Sequence, residues 1–299
     1  MFKKFKITQI KVIPLSIVFI LFFITAHAQY SVHNNISGHQ RIFIQKMNEV
    51  QPTVMADGVL KFGKTFLGDA YPKAKKAAVR QSDGTRQYLS TSNEELDVNL
   101  TQFNCVTFVE NMIALTQTRL SSNPNFEYFK QNLANIRYRN GVIDYASRLH
   151  YFSDWLYENE KRGILTNITQ EIGGQPFNKN VSYLSSSKNV LTKNKSNYTT
   201  FVSMKKVEKE ISSRPKYFIP KDRIPEVESK IKNGDIIGIT NRLEGMDMAH
   251  TGFAIWRNGQ LYLMHASSQY HRVVISSKPL KDYLAGNKLQ TGIMVGRLN

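Results

Sequence analysis

A single cysteine, Cys105, stands in 299 residues, so no intramolecular disulfide can form and a disulfide-stapled fold is excluded. No C-x-x-C pair and no H-x-x-x-H pair occurs, which leaves the chain without zinc-ligand spacing, and no metal or cofactor is expected. Acidic side chains are scarce: 23 Asp and Glu stand against 40 Lys and Arg, for a formal charge of +17. Such a balance suits an anionic partner, whether nucleic acid, a membrane surface or an acidic envelope polymer, or it serves plain solubility, since the lysines are scattered. No internal repeat and no low-complexity linker is visible, so a solenoid or a string of small modules is not expected. Long apolar runs are missing too, except at the very start.

That start reads as an export signal. Lys3, Lys4, Lys6 and Lys11 precede an apolar stretch over residues 12–24, and Ala26-His27-Ala28 follows. A basic segment, a short apolar segment and an A-x-A cleavage site together form a signal peptide. Residues 1–28 are therefore expected to be removed, leaving 29–299 as a single domain in the periplasm. Retained, the same stretch would anchor the protein in the membrane, the one way a membrane enters this reading. No cysteine follows the cleavage site, so a lipoprotein route is not supported. The segment carries four lysines and no acid, which leaves +13 on the mature chain, and export removes nucleic acid as the physiological target.

In an oxidising compartment an unpaired thiol is an intermolecular link, a reactive group or a small buried hydrophobe. Cys105 opens "CVTFVENMIAL", whose apolar residues are too dense for a half-exposed helix, so a buried central helix is expected, with Asn104 as its N-cap. There the free N–H groups and the helix dipole favour a thiolate. Helices are expected before it, over "HQRIFIQKMNEV" and "TVMADGVLKFGKTFLGDAY", and after it through residue 162. Residues 166–213 are polar and read as an excursion over the surface. The last third switches to strands: "NGDIIGIT", "AHTGFAIW", "QLYLMHAS", "RVVIS" and "TGIMVGRL". Helices first and antiparallel strands after predict an α+β fold, one sheet backed by the cysteine helix.

Asn258-Gly259 is a strong hairpin signal, because both central positions of a type I′ turn need positive φ. With that turn Arg257 pairs with Gln260, Gly252 faces His265, and His250 and His265 project from one side of the sheet as diagonal neighbours, roughly 7–8 Å apart at the backbone. Gly252, lacking a side chain, is expected to leave the space beside His265 open. A nucleophile site needs a base and a third polar group that orients it, and a cysteine helix packed by its N-terminus against two histidines supplies both. Each histidine could equally be a satisfied strand residue, and a β-bulge would change the facing.

The motifs "FNCVTFVENMIAL", "AHTGFAIW" and "LMHASS" resemble the NlpC/P60 papain-like cysteine peptidases, in particular the DUF1460 branch of N-acetylmuramoyl-L-alanine amidase-like proteins. The likeness runs from "FLGDAY" through "RLHYFSDWL", "GDIIGIT", "GMDMAHTGF" and "LKDYL" to "GIMVGRL". It implies a papain-like sheet packed on the helix that carries the nucleophile. It also implies Cys105 as nucleophile, His250 as general base and His265 as the group that orients it. Tyr71, in "FLGDAYP", would lie beside the nucleophile, or simply pack the loop. Arg148, His150, Tyr151, Asp154 and Trp155 would line the substrate cleft, although aromatics at this spacing also build cores. The family has Asp before its cysteine where this chain has Asn104, which caps a helix as well and adds no charge hostile to a thiolate. The implied reaction is hydrolysis of the amide between N-acetylmuramic acid and L-Ala in peptidoglycan fragments, with 1,6-anhydro-muropeptides as partners and no cofactor. An endopeptidase cutting within the stem peptide, a non-catalytic envelope-binding module and an acyl-transfer enzyme are the alternatives; the oligomeric state is left open.

Overall fold

The computed structural model describes residues 36–72, 79–80, 86–87, 94–186 and 195–299. The expected signal peptide lies outside the described residues, and among those described no helix is long and apolar enough to cross a membrane. By its contacts the chain divides into Met1–Arg41 and Ile42–Asn299. In the first unit Ser37 Oγ accepts the Gln40 N–H at 3.2 Å, at the start of helix α1 (Gly38–Glu49). Everything that follows concerns the second.

Helix α2 (Met55–Thr65) packs beside α3 (Cys105–Leu120), and α3 beside α4 (Phe126–Arg137). The start of α3 is set by Asn104, whose Oδ1 accepts the N–H groups of Val106 at 3.0 Å and Thr107 at 2.9 Å, while Thr107 Oγ1 accepts the Asn104 N–H at 3.0 Å. This reciprocal cap satisfies donors that a helix start otherwise leaves bare. Phe108, Met112, Ile113 and Leu115 are fully buried, as the density of apolar residues predicts. Among the polar members of α3, Thr116 and Thr118 donate to the carbonyls of Met112 and Ala114, and Glu110 pairs with Arg137 of α4 at 2.7 Å.

After α5 (Phe152–Lys161) the chain builds its sheet, apart from a two-stranded ribbon of β1 (Val79–Arg80) and β2 (Arg86–Gln87). The strands are β3 (Leu165–Asn167), β4 (Gln175–Pro176), β5 (Tyr217–Pro220), β6 (Ile236–Asn241), β7 (Met248–Arg257), β8 (Gln260–Ser267), β9 (Arg272–Ile275) and β10 (Gln290–Leu298). Their order is β4-β5-β10-β6-β7-β8-β9, every pair antiparallel, with β3 also on β10. The α+β expectation is met. Strand alternation gives two cores: Phe253, Met264 and Ala266 pack with α3, while Ala254, Leu261 and Leu263 pack with Ile224, Val227, Leu280 and Leu284 on the other face. Residues 166–213 are no bare surface excursion, because Ile168, Ile172 and Phe177 enter the cores and Val181 and Ile211 pack on Tyr151. Within that stretch α6 (Tyr183–Ser186) and α7 (Lys195–Ser213) flank residues outside the described set.

Candidate active site

Asn258 and Gly259 have φ of 49° and 74°, the left-handed values the hairpin requires, and Arg257 pairs with Gln260 through to Phe253 with Met264. This register brings the two histidines together: His250 Nε2 lies 2.5 Å from His265 Nδ1, with the rings nearly perpendicular at a centroid distance of 4.7 Å. A bulge does occur, in the pairing of β7 with β6 and just before the histidine, where β7 carries Ala249 as an extra residue between the pairs Thr240–Met248 and Ile239–His250. Gly252 is a different matter from the open space expected of it. A Cβ there would meet Met264 O at 2.6 Å, His265 Cβ at 2.8 Å and a Leu263 methyl at 3.0 Å. The glycine lets β7 approach β8 closely, and the room it would leave is already filled.

Cys105 is the first residue of α3 and half-buried. Burial raises its thiol above the ordinary value, opposed by the backbone N–H groups of Thr251, Val106 and Cys105 itself, with the Glu110 charge adding to the rise. The thiol thus sits against the backbone of the residue that follows His250. Among the described residues no hydrogen bond joins sulfur to imidazole. Burial also lowers the histidines, His250 to about 4 and His265, with the His250 charge as a second cause, to about 3. At neutral pH the resting groups are therefore a thiol and two neutral rings.

Two tyrosines share the field of the sulfur. Tyr71 and Tyr283 have their phenols raised first by burial and second by a Cys105 thiolate. Tyr71 is held by its N–H on the His271 carbonyl at 2.9 Å. Tyr283 was not singled out from the sequence; it stands on the short helix α8 (Leu280–Ala285), and its ring meets that of His265 at 5.6 Å and 72°. Only its "LKDYL" context gave a signal, and that signal did not name the residue.

The segment 148–155 divides. His150 and Trp155 line a small cavity with Val106 and Thr251, the neighbours of Cys105 and His250. His150 Nε2 donates to the Tyr145 carbonyl at 2.9 Å and burial lowers this ring to about 4. Tyr151 and Asp154 do not join them. Tyr151 donates to Glu208 at 2.6 Å, and Asp154 holds Arg139 and Arg214, each at 2.6 Å. α5 carries residue 155 on one side and 154 on another, so one helix cannot aim both at the thiol. Arg148 pairs with Glu94 and reaches the Tyr138 hydroxyl at 3.4 Å.

A cavity of about 290 Å³ lies on another side of α5, among Tyr157, Glu160, Gln170, Arg214 and Tyr217, and none of Cys105, His250 and His265 lines it. Volume would draw attention there; the perturbed groups and the close imidazole pair make the surroundings of Cys105 the candidate site. Among the described residues no cluster of three or more His, Cys, Asp or Glu could hold a metal ion.

The family model described as AmiA-like, N-acetylmuramoyl-L-alanine amidase-like, matches residues 61–293. The chain belongs to this amidase-like family. It is similar to a crystal structure of an N-acetylmuramoyl-L-alanine amidase from Bacteroides uniformis, with 33% identity, a TM-score of 0.68, and 82% of this chain and 98% of that one covered. A Bacteroides fragilis structure provisionally named a xylanase matches at 34% identity and TM-score 0.67, over 79% of this chain and 99% of that one. A DUF1460 protein of Legionella pneumophila, 24% identical with a TM-score of 0.60 over 89% and 95%, shares the fold. No curated protein matches. Amidase-like membership makes the chain a hydrolase-type protein of peptidoglycan-derived material.

Proposed function

We propose that the protein is an exported cysteine amidase that hydrolyses the amide between 1,6-anhydro-N-acetylmuramic acid and L-Ala in peptidoglycan fragments. One observation carries the reading: in a chain of the amidase-like family, the only thiol stands at a capped helix start, against the backbone next to a buried imidazole pair. His265 occupies Nε2 of His250, so Nδ1 is the nitrogen left for the thiol. A neutral thiol beside a neutral imidazole calls for proton transfer during attack rather than a stored thiolate.

As Sγ attacks the lactyl carbonyl carbon, its proton passes to His250 Nδ1 and the carbonyl electrons move to oxygen. The Val106 and Thr107 N–H groups are already bound by Asn104, so the oxyanion would take the Cys105 N–H, with the Tyr71 hydroxyl as a second donor. Collapse of the intermediate breaks the C–N bond, and His250 hands its proton to the departing L-Ala nitrogen. Water, deprotonated by the same nitrogen, then attacks the thioester, releasing the lactyl carboxylate and restoring the thiol. Stem-peptide carboxylates give the basic chain a use in attraction. Glycosidase chemistry needs two carboxyl groups flanking the bond, whereas the groups gathered around Cys105 are imidazoles and phenols. Export rests on the N-terminal pattern alone, and a mature N-terminus read as Gln29 in the periplasmic fraction would support it.

The test is mass spectrometry of products from a defined anhydro-muropeptide. Free anhydro-N-acetylmuramic acid together with a stem peptide beginning at L-Ala supports the amidase reading. A cut inside the stem peptide would replace it with the endopeptidase alternative, which the same thiol and imidazole could serve.

A further inference from the structure

We propose that Tyr283 is a positioning residue: its ring selects the His265 tautomer in which His250 can act as a base. The inference rests on the cysteine reading above and names a regulator of that same site. Both rings are neutral at pH 7, so each carries one proton, and only one proton can occupy the 2.5 Å gap between His250 Nε2 and His265 Nδ1.

Two arrangements satisfy that gap. In the first, His250 Nε2–H donates to His265 Nδ1, which leaves a bare Nδ1 on His250 to receive the thiol proton and puts the His265 proton on Nε2. In the second, His265 Nδ1–H donates, His250 carries its proton on Nδ1, and what faces the sulfur is a donor that cannot act as base. The hydrogen bond itself does not choose between them. The far nitrogen of His265 does: Nε2 is buried and has no hydrogen-bond partner, in a residue with no exposed surface. Two rings pack across His265: His250, which takes Nδ1, and Tyr283, whose centroid lies 5.6 Å away at 72°. An aromatic face is electron-rich and receives an N–H edge, while it repels a nitrogen lone pair. With Nδ1 held by His250, the proposed arrangement turns Nε2 to the Tyr283 face, where the ring favours Nε2–H on His265, and with it the bare Nδ1 on His250. Leu280 and Leu284, fully buried on either side of Tyr283, fix the ring through the core. The tyrosine hydroxyl has no part in the argument.

The experiment is two-bond ¹H–¹⁵N NMR on the full chain with ¹⁵N-histidine at neutral pH, together with steady-state kinetics, for wild type, Tyr283→Phe and Tyr283→Leu. In wild type both rings should carry their proton on Nε2. Phe at 283 should keep that pattern and turnover. Leu should move His265 toward Nδ1–H and lower kcat about tenfold, with KM little changed, since a tenfold change corresponds to ~1.4 kcal/mol. A wild-type spectrum with His265 protonated on Nδ1 overturns the proposal even if the Leu variant does not fold, and so does a Leu variant with wild-type tautomers. Tautomers are read without substrate, so the two readings fail separately: a tautomer shift that leaves kcat untouched keeps the role of Tyr283 and overturns the base role of His250.

Discussion

Two buried polar clusters flank α5, and they differ in how completely they are satisfied. Asp154 holds Arg139 and Arg214 through separate oxygens, and Glu158 takes the other side of Arg139. Every partner there is charged and matched, the state in which burial of ions is tolerable. Around Cys105 the groups are neutral, raised or lowered by burial, and His265 Nε2 has no hydrogen-bond partner. The first arrangement holds the structure together; under the proposed mechanism the second keeps proton-transfer groups poised. Both were drawn from stretches that look alike in the sequence, polar residues set among aromatics.

The comparison breaks most visibly at His250. His250→Ala should lower kcat/KM by roughly 10²–10⁴-fold, the range of general acid–base help, while the melting transition hardly moves. His265→Asn should retain part of that activity, since an amide oxygen still accepts the His250 N–H; equal loss in both variants would reopen the assignment of roles. Asp154→Ala should do the reverse. It leaves Arg214 without its carboxylate and Arg139 with Glu158 alone, and should cost about 3–5 kcal/mol of stability, measured by urea unfolding, with turnover per folded molecule preserved. Gly252→Leu, whose side chain would run into Met264 O and His265 Cβ, should destabilise by at least the ~1–3 kcal/mol of an overpacked core. Ready expression of a stable Leu variant would mean that β7 and β8 are not this close.

A further expectation concerns pH and sharpens the same contrast. His150, His250 and His265 bind a proton in the folded state only near pH 4, 4 and 3 respectively, against about 6.5 when unfolded. Between pH 6.5 and 4 the unfolded chain thus holds more protons, and stability must fall as pH is lowered through that window. It is fully present above pH 6.5. Denaturation midpoints at pH 7 and pH 5 test this, and replacing His150 by Gln should flatten the slope. The raised thiol carries a companion expectation: alkylation of Cys105 by iodoacetamide should accelerate steadily into the alkaline range, whereas a plateau from acid pH upward would reveal a preformed thiolate.

Much of the site was legible because it depends on short-range rules. Asn258-Gly259 determines a register, the register determines which side chains share a face, and Asn104 marks a helix start whatever packs against it. Less was legible where one element must meet another. Nothing in "RLHYFSDW" says which side of α5 meets the sulfur, so His150 and Trp155 read the same as Tyr151 and Asp154. Tyr283 reaches His265 only because a six-residue helix is pinned by two leucines, a tertiary event without a local pattern. Gly252 misled for a related reason: a missing side chain looks like room until the neighbouring strand is in place. β3 and β5, with three and four residues, are too short to show an alternation, yet they complete the sheet by pairing with β10.

The central claim is that one thiol performs the chemistry, and the most direct measurement compares wild type with Cys105→Ala on the same anhydro-muropeptide, following products by mass spectrometry and folding by thermal melting. The account predicts complete conversion to anhydro-N-acetylmuramic acid and stem peptide by wild type. It predicts no product from the alanine variant, whose melting curve should overlay the original because a methyl replaces a half-buried thiol. Undiminished cleavage by a folded Cys105→Ala protein would contradict it.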